Sequence, residues 1–82
     1  MKQLNFTIVL KKEPEGGYTV IVPSLLGCVT YGKDIEEAKK MAQDAITAYI
    51  TSLKKHKEPI PKESSVLFTT INVNEGTRFS FT

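Results

Sequence analysis

The 82-residue chain has one cysteine, one histidine and no tryptophan. A lone Cys28 makes no intramolecular disulfide, which excludes a disulfide-stapled secreted scaffold and points to a reducing, cytoplasmic setting. One Cys and one His do not close a zinc site either, so no metal or cofactor is expected. No uninterrupted apolar run approaches the ~20 residues of a membrane span. The N-terminal stretch Leu4–Leu10 is broken by Asn5 and Thr7 and lacks a small-residue cleavage site, so it reads as a strand rather than a signal peptide. Charge of one sign is also in short supply. Eleven basic against nine acidic residues leave +2, too little to mark a nucleic-acid surface. What is present, 40% hydrophobic and 24% charged residues, is the balance of one small globular domain. A domain this short buries a modest share of its surface, so self-association is expected from size alone.

The patterning predicts an α+β, two-layer sandwich with the order β-β-β-α-β. Leu4, Phe6, Ile8 and Leu10 alternate with Asn5, Thr7 and Val9, the period of a half-buried strand. A charged loop with Gly16-Gly17 follows, then a second strand, Tyr18–Val22, which Pro23 ends. After Ser24-Leu25-Leu26-Gly27 comes a third strand, Cys28–Tyr31. Links this short make an antiparallel meander, because parallel neighbours need a long crossover. Asp34, three residues before Glu37, has capping-box spacing and opens the long helix. Ile35, Ala38, Met41, Ala42, Ala45, Ile46, Tyr49, Ile50 and Leu53 form its apolar stripe, and Pro59 and Pro61 are its expected stop. A returning strand is predicted over Ser65–Val73, within a domain of residues 1–73. Residues 74–82, carrying Phe79 and Phe81, are read as a tail: a short fifth strand or an arm donated to another subunit, with the two phenylalanines at an oligomer interface.

Catalytic constellations are scarce. His56 sits in Lys54-Lys55-His56-Lys57, where helix-end cations oppose the negative end of the dipole, and it reads as a surface or helix-end residue. Cys28 has no basic neighbour in sequence and reads as a buried structural thiol rather than a nucleophile. Gly32-Lys33-Asp34 opens a helix, but the Asp34 carboxylate repels phosphate there.

The stretch Tyr18 to Ala38 carries a Val-Pro-x-Leu-x-Gly-Cys link (Val22 to Cys28), a Thr-Tyr-Gly turn (Thr30 to Gly32) and Glu36-Glu37-Ala38 at the start of the helix. In this the chain resembles the HicB antitoxin family, in its N-terminal-domain-only form. Ala45-Ile46, Tyr49-Ile50, Leu53 and Pro59-Ile60-Pro61 extend the resemblance over roughly residues 4 to 73. It implies a partial ribonuclease-H-like fold, dimeric or higher, that binds and neutralises a HicA-type toxin, a small mRNA-cleaving ribonuclease. No enzymatic role is expected: a working ribonuclease-H site needs central-strand carboxylates for metal ions, and Leu4–Leu10 contains no Asp or Glu. The family often has an acidic residue where Ser24 stands and a proline where Leu26 stands. Only nine residues follow Val73, too few for the DNA-binding domain that many HicB antitoxins carry, so direct DNA binding is not expected.

Toxin contact is expected at Tyr18, Pro23, Ser24, Leu25, Leu26, Gly27 and Tyr31, with both leucines exposed on a tight loop. A second class of function, RNA or DNA binding through Lys54–Lys57 and Lys11-Lys12, predicts salt-sensitive affinity. A third, a minimal metal-dependent nuclease using Asp34 or Asp44, ranks last for want of central-strand acids.

Overall fold

The computed structural model describes residues 3–63 and 66–76. Three strands, β1 (Val9–Lys12), β2 (Tyr18–Ile21) and β3 (Val29–Gly32), precede one helix, α1 (Ile35–Lys55). They form an antiparallel sheet in the order β1-β2-β3, with Val9 opposite Ile21 and Ile21 opposite Val29. The α+β class, the meander and the long helix thus match the sequence pattern.

The first strand is later and shorter than expected. Continuing the β1–β2 register would set Thr7 opposite Pro23, which has no N–H for a ladder. Phe6 and Ile8 still turn inward and pack on the core, so the alternation holds although the ladder does not. The hairpin before β2 is closed by the Glu13 N–H to the Gly17 carbonyl and the Gly16 N–H to the Glu13 carbonyl, both 3.0 Å. Gly16 and Gly17 have φ of 109° and 80°, a backbone region that favours glycine.

The core is small and falls into two clusters. Val20, Ala38 and Ala42 form one, flanked by Ile8, Leu10 and Tyr18. Val22, Leu25 and Cys28 form the other, flanked by Phe6, Ile8, Ala45, Ile46 and Tyr49. Alanine on the helix lets it lie close to the sheet. Gly32 extends the same logic, because a Cβ there would land on the backbone of Glu37 and Ala38. The buried stripe of α1 is narrower than the periodicity implies: Ile35 and Met41 are exposed.

Both helix ends are closed by identifiable bonds. The Glu37 N–H donates to Asp34 Oδ1 as the capping box predicts, while Glu37 Oε1 reaches one residue past the N-cap and accepts from the Lys33 N–H, each at 2.8 Å. At the other end the helix stops before either proline. Lys57 has φ of 56°, its N–H donates to the Lys54 carbonyl, and the Glu58 N–H donates to the Leu53 carbonyl at 2.8 Å. This is a Schellman closure with lysine in the left-handed position that glycine ordinarily fills. Among the described residues the returning strand is not formed: residues 66–74 carry no regular secondary structure, and the Val66 N–H donates to the Glu63 carbonyl at 3.1 Å.

Lys57→Gly removes the left-handed Cβ penalty and is expected to raise stability by about 0.5–1 kcal/mol, after the entropy that glycine adds to the unfolded chain. A higher urea midpoint at unchanged slope checks this.

Candidate partner-binding surface

The loop between β2 and β3 is short, and its own backbone folds it into a fixed knob. The Val22 N–H donates to the Cys28 carbonyl, the Leu25 N–H to the Val22 carbonyl and the Cys28 N–H to the Leu25 carbonyl, each at 3.0 Å. Gly27, with φ of 78°, supplies the left-handed residue that the turn requires. Tyr49 on α1 donates its hydroxyl to the Leu26 carbonyl at 2.7 Å and ties the knob to the helix. Ser24 is buried, and its Oγ donates to Glu63 Oε2 at 2.9 Å.

These bonds send the two adjacent leucines in opposite directions. Leu25 is 1% exposed and sits in the second core cluster, whereas Leu26 is 91% exposed. The expectation that both leucines are exposed therefore holds for Leu26 alone. Pro23 is half-buried, Gly27 lies on the surface, and Tyr18 points inward against Val20 and the helix alanines. Tyr31 lies on the opposite face of the sheet, where it donates its hydroxyl to the Gly16 carbonyl at 2.9 Å and rests its ring against Gly17. The structure thus separates the seven predicted residues: Leu26, Gly27 and Tyr31 are exposed, Pro23 is partly so, and Tyr18, Ser24 and Leu25 face the interior. Phe79 and Phe81 lie outside the described residues.

Strand register adds residues that the sequence reading did not name. Val9, Ile21 and Val29 stand side by side across the three strands on the face away from α1, next to Lys11, Thr19 and Tyr31. Val29 is 57% exposed, and Ile21 and Tyr31 are also exposed. Ile21 and Val29 immediately flank the knob that carries Leu26. The available signal was Val20-Ile21-Val22, three successive apolar residues where strict alternation would leave the middle one polar.

Glu63 was also missed. Its carboxylate accepts from the Thr7 N–H and from Ser24 Oγ, joining the segment after the helix to the chain before β1 and to the knob. Hydrogen bonds from Thr7, side chain and backbone, and from Ser24 hold this carboxyl below its usual range. Burial pushes the Cys28 thiol up, so it stays protonated and inert at neutral pH. His56 donates Nδ1–H to the Ser52 carbonyl at 2.8 Å, a helix-end role shared by its exposed lysine neighbours. Among the described residues no group of three or more His, Cys, Asp or Glu is placed to hold a metal ion, and no helix is long and apolar enough to cross a membrane.

Leu25→Ala is expected to cost about 2–5 kcal/mol through cavity formation. Leu26→Ala, one residue on, should stay within about 0.5 kcal/mol, both measured by urea unfolding. A second expectation concerns Glu63. A depressed folded-state pKa gives stability that is present above the unfolded value of about 4.3 and lost as pH falls through the folded one. The stability gap between wild type and Glu63→Gln should therefore be widest near neutrality and close in acid.

Comparison with known proteins places these features in a family. The family model described as HicB-like antitoxin of bacterial toxin-antitoxin system matches residues 6–76. The chain is 45% identical to a UPF0150 protein of Thermoplasma acidophilum over 62 residues, covering 76% of this chain and 90% of that one. It is 41% identical to a UPF0150 protein of Synechocystis over 63 residues, 77% of this chain and 80% of the relative. The chain belongs to the HicB-like antitoxin family of bacterial toxin-antitoxin systems.

Proposed function

We propose that the protein is an antitoxin that binds a HicA-type, mRNA-cleaving toxin in the cytoplasm and neutralises it by protein–protein contact. Family membership supports the antitoxin role. The observation that carries a contact mechanism is the apolar surface on the uncovered sheet face, Val9-Ile21-Val29 with Tyr31, beside the projecting Leu26. Apolar residues clustered on a rigid surface are the usual makings of an interface core. The hydrogen bonds that fix Leu26 and Tyr31 lower the ordering cost of binding, since neither the loop nor the ring must be immobilised on contact.

In this reading the sheet and helix are a ribonuclease-H-like scaffold that serves as a shape, with no catalytic residue, metal or cofactor, and the working unit is a homodimer or higher oligomer. Among the predicted contact residues, Pro23, Leu26, Gly27 and Tyr31 meet the toxin directly. Tyr18, Ser24 and Leu25 act by holding the knob and strand in place. Electrostatic steering contributes little, because a net charge of +2 does not attract a basic partner.

The test is co-expression with a small basic protein encoded in the adjacent reading frame. A stable complex and restored growth are expected. Leu26→Asp and Val29→Asp should each weaken the complex at least tenfold while leaving the helical circular dichroism unchanged. Absence of both complex and rescue, with a genuine HicA-type partner present, would overturn the antitoxin reading. Salt-sensitive RNA or DNA binding lost on neutralising Lys54 and Lys55 would favour a nucleic-acid role instead.

A further inference from the structure

The third strand, β3, has backbone groups that the sheet does not use, and ladder alternation fixes which ones. The Val22 N–H donates to the Cys28 carbonyl and, in the neighbouring ladder, the Glu13 N–H donates to the Gly17 carbonyl. Two-residue steps from either pair make Val20–Thr30 and Tyr18–Gly32 the hydrogen-bonded pairs of β2 and β3. Val29 and Tyr31 fall between them. Their N–H and C=O groups therefore point away from β2, and among the described residues no strand lies beyond.

Exposed edges are ordinarily protected by lysine, proline, a bulge or an inward-pointing charge. Val29-Thr30-Tyr31-Gly32 carries none of these, and its two β-branched residues and one aromatic suit a strand. By contrast β1 ends in Lys11-Lys12. The Tyr31 ring also leaves the β3 edge clear. Its hydroxyl reaches back to the Gly16 carbonyl, and the ring rests on Gly17.

The surroundings define what fits there. On the outer face Val29 is exposed next to the knob that carries Leu26. On the helix, Lys39, Gln43, Ile46 and Ile50 open toward the β1 side, whereas Ala38 and Ala42 face the sheet. Helix phase then sets Glu37, Met41 and Asp44 on the opposite flank, above the β3 edge. Met41 is 40% exposed and Asp44 is exposed. The two carboxylates here face one neighbouring ammonium, Lys40, so this flank favours a basic chain although the molecule as a whole is +2. A second copy offering its own β3 would set these carboxylates against their like.

We propose that the β3 edge takes up an extended, basic strand of the toxin, which pairs with the backbone of Val29 and Tyr31 as a fourth strand of the sheet. Alternate side chains of that strand meet Val29 and Leu26 on the outer face and Met41 and Asp44 under the helix. Two outward residues supply two donors and two acceptors, and the register they impose orients the apolar contact. The proposal rests on the antitoxin reading and specifies how the partner is gripped.

The test is residue-resolved amide exchange, in the unmodified protein alone and in complex with its co-expressed toxin. In the free protein the Val29 and Tyr31 amides should exchange at least tenfold faster than that of Thr30, which the ladder holds. In the complex both should slow at least tenfold. Met41→Lys, which lies off the outer face, should weaken the complex about tenfold with helical circular dichroism unchanged. A complex in which Val29 and Tyr31 still exchange freely overturns the edge contact and leaves the antitoxin reading standing. Protection already present without toxin puts another chain on the edge and overturns it too, as does a folded Met41→Lys variant of unchanged affinity. Absence of any complex with a genuine HicA-type protein overturns both readings.

Discussion

The approach of the helix to β3 at Gly32 sets the terms for the rest of the molecule. Because no Cβ stands there, the backbone around Glu37 and Ala38 comes down onto the strand, and Ala38 and Ala42 close the gap against Val20. A single helix about 10 Å wide cannot then cover strands spaced about 4.8 Å apart on both flanks. With α1 drawn toward β3, the flank at β1 is left as a groove. The small residues that permit close packing also limit what the core contributes, because alanine and glycine bury little apolar surface. The domain is thin where it is tight and open where it is wide.

The knob between β2 and β3 solves a different problem with the same economy. Three backbone hydrogen bonds, a left-handed Gly27, a tyrosine hydroxyl and a buried serine fix five residues without any side chain larger than Leu25 inside. Pro23 ends the sheet ladder on one side of this turn and starts the turn on the other. Ser24 is buried where the knob meets the segment after the helix. Here the hydroxyl donates to the Glu63 carboxylate, which a second carboxylate would repel. The knob's conformation and the position of the segment after the helix are therefore joined through one glutamate.

Local physics made much of this legible. The capping pair Asp34 and Glu37, the alternation of Phe6, Ile8 and Leu10, and the glycines of the hairpin each depend on neighbours within a few residues, and each appears where the pattern puts it. The helix C-terminus was legible only in part. Prolines at 59 and 61 forbid continuation, but the actual stop is a left-handed lysine, a conformation that no propensity of lysine announces. Leu25 and Leu26 were indistinguishable as residue types, since their separation comes from the turn's hydrogen bonds. Glu63 was invisible for a related reason: its partners are 39 and 56 positions away. The segment 66–73 shows the deeper limit. Its alternation predicts a strand, yet residues 66–74 carry no regular secondary structure, because period-two patterning marks suitability for a sheet and not a place in one.

A small domain with a thin core has two surfaces to cover, and the two are not equivalent. The edge and groove at β1 offer unpaired backbone as well as apolar side chains, so an occupant must be an extended chain of defined register. The outer face offers side chains only, its backbone groups lying in the plane of the sheet, and accepts any complementary shape. On the second, Ile21, Val29 and Tyr31 are exposed. The edge presents backbone and the face presents side chains, so the two surfaces are chemically distinct. On this argument the size that makes the domain marginal as a lone copy is also what leaves its edge and its face available.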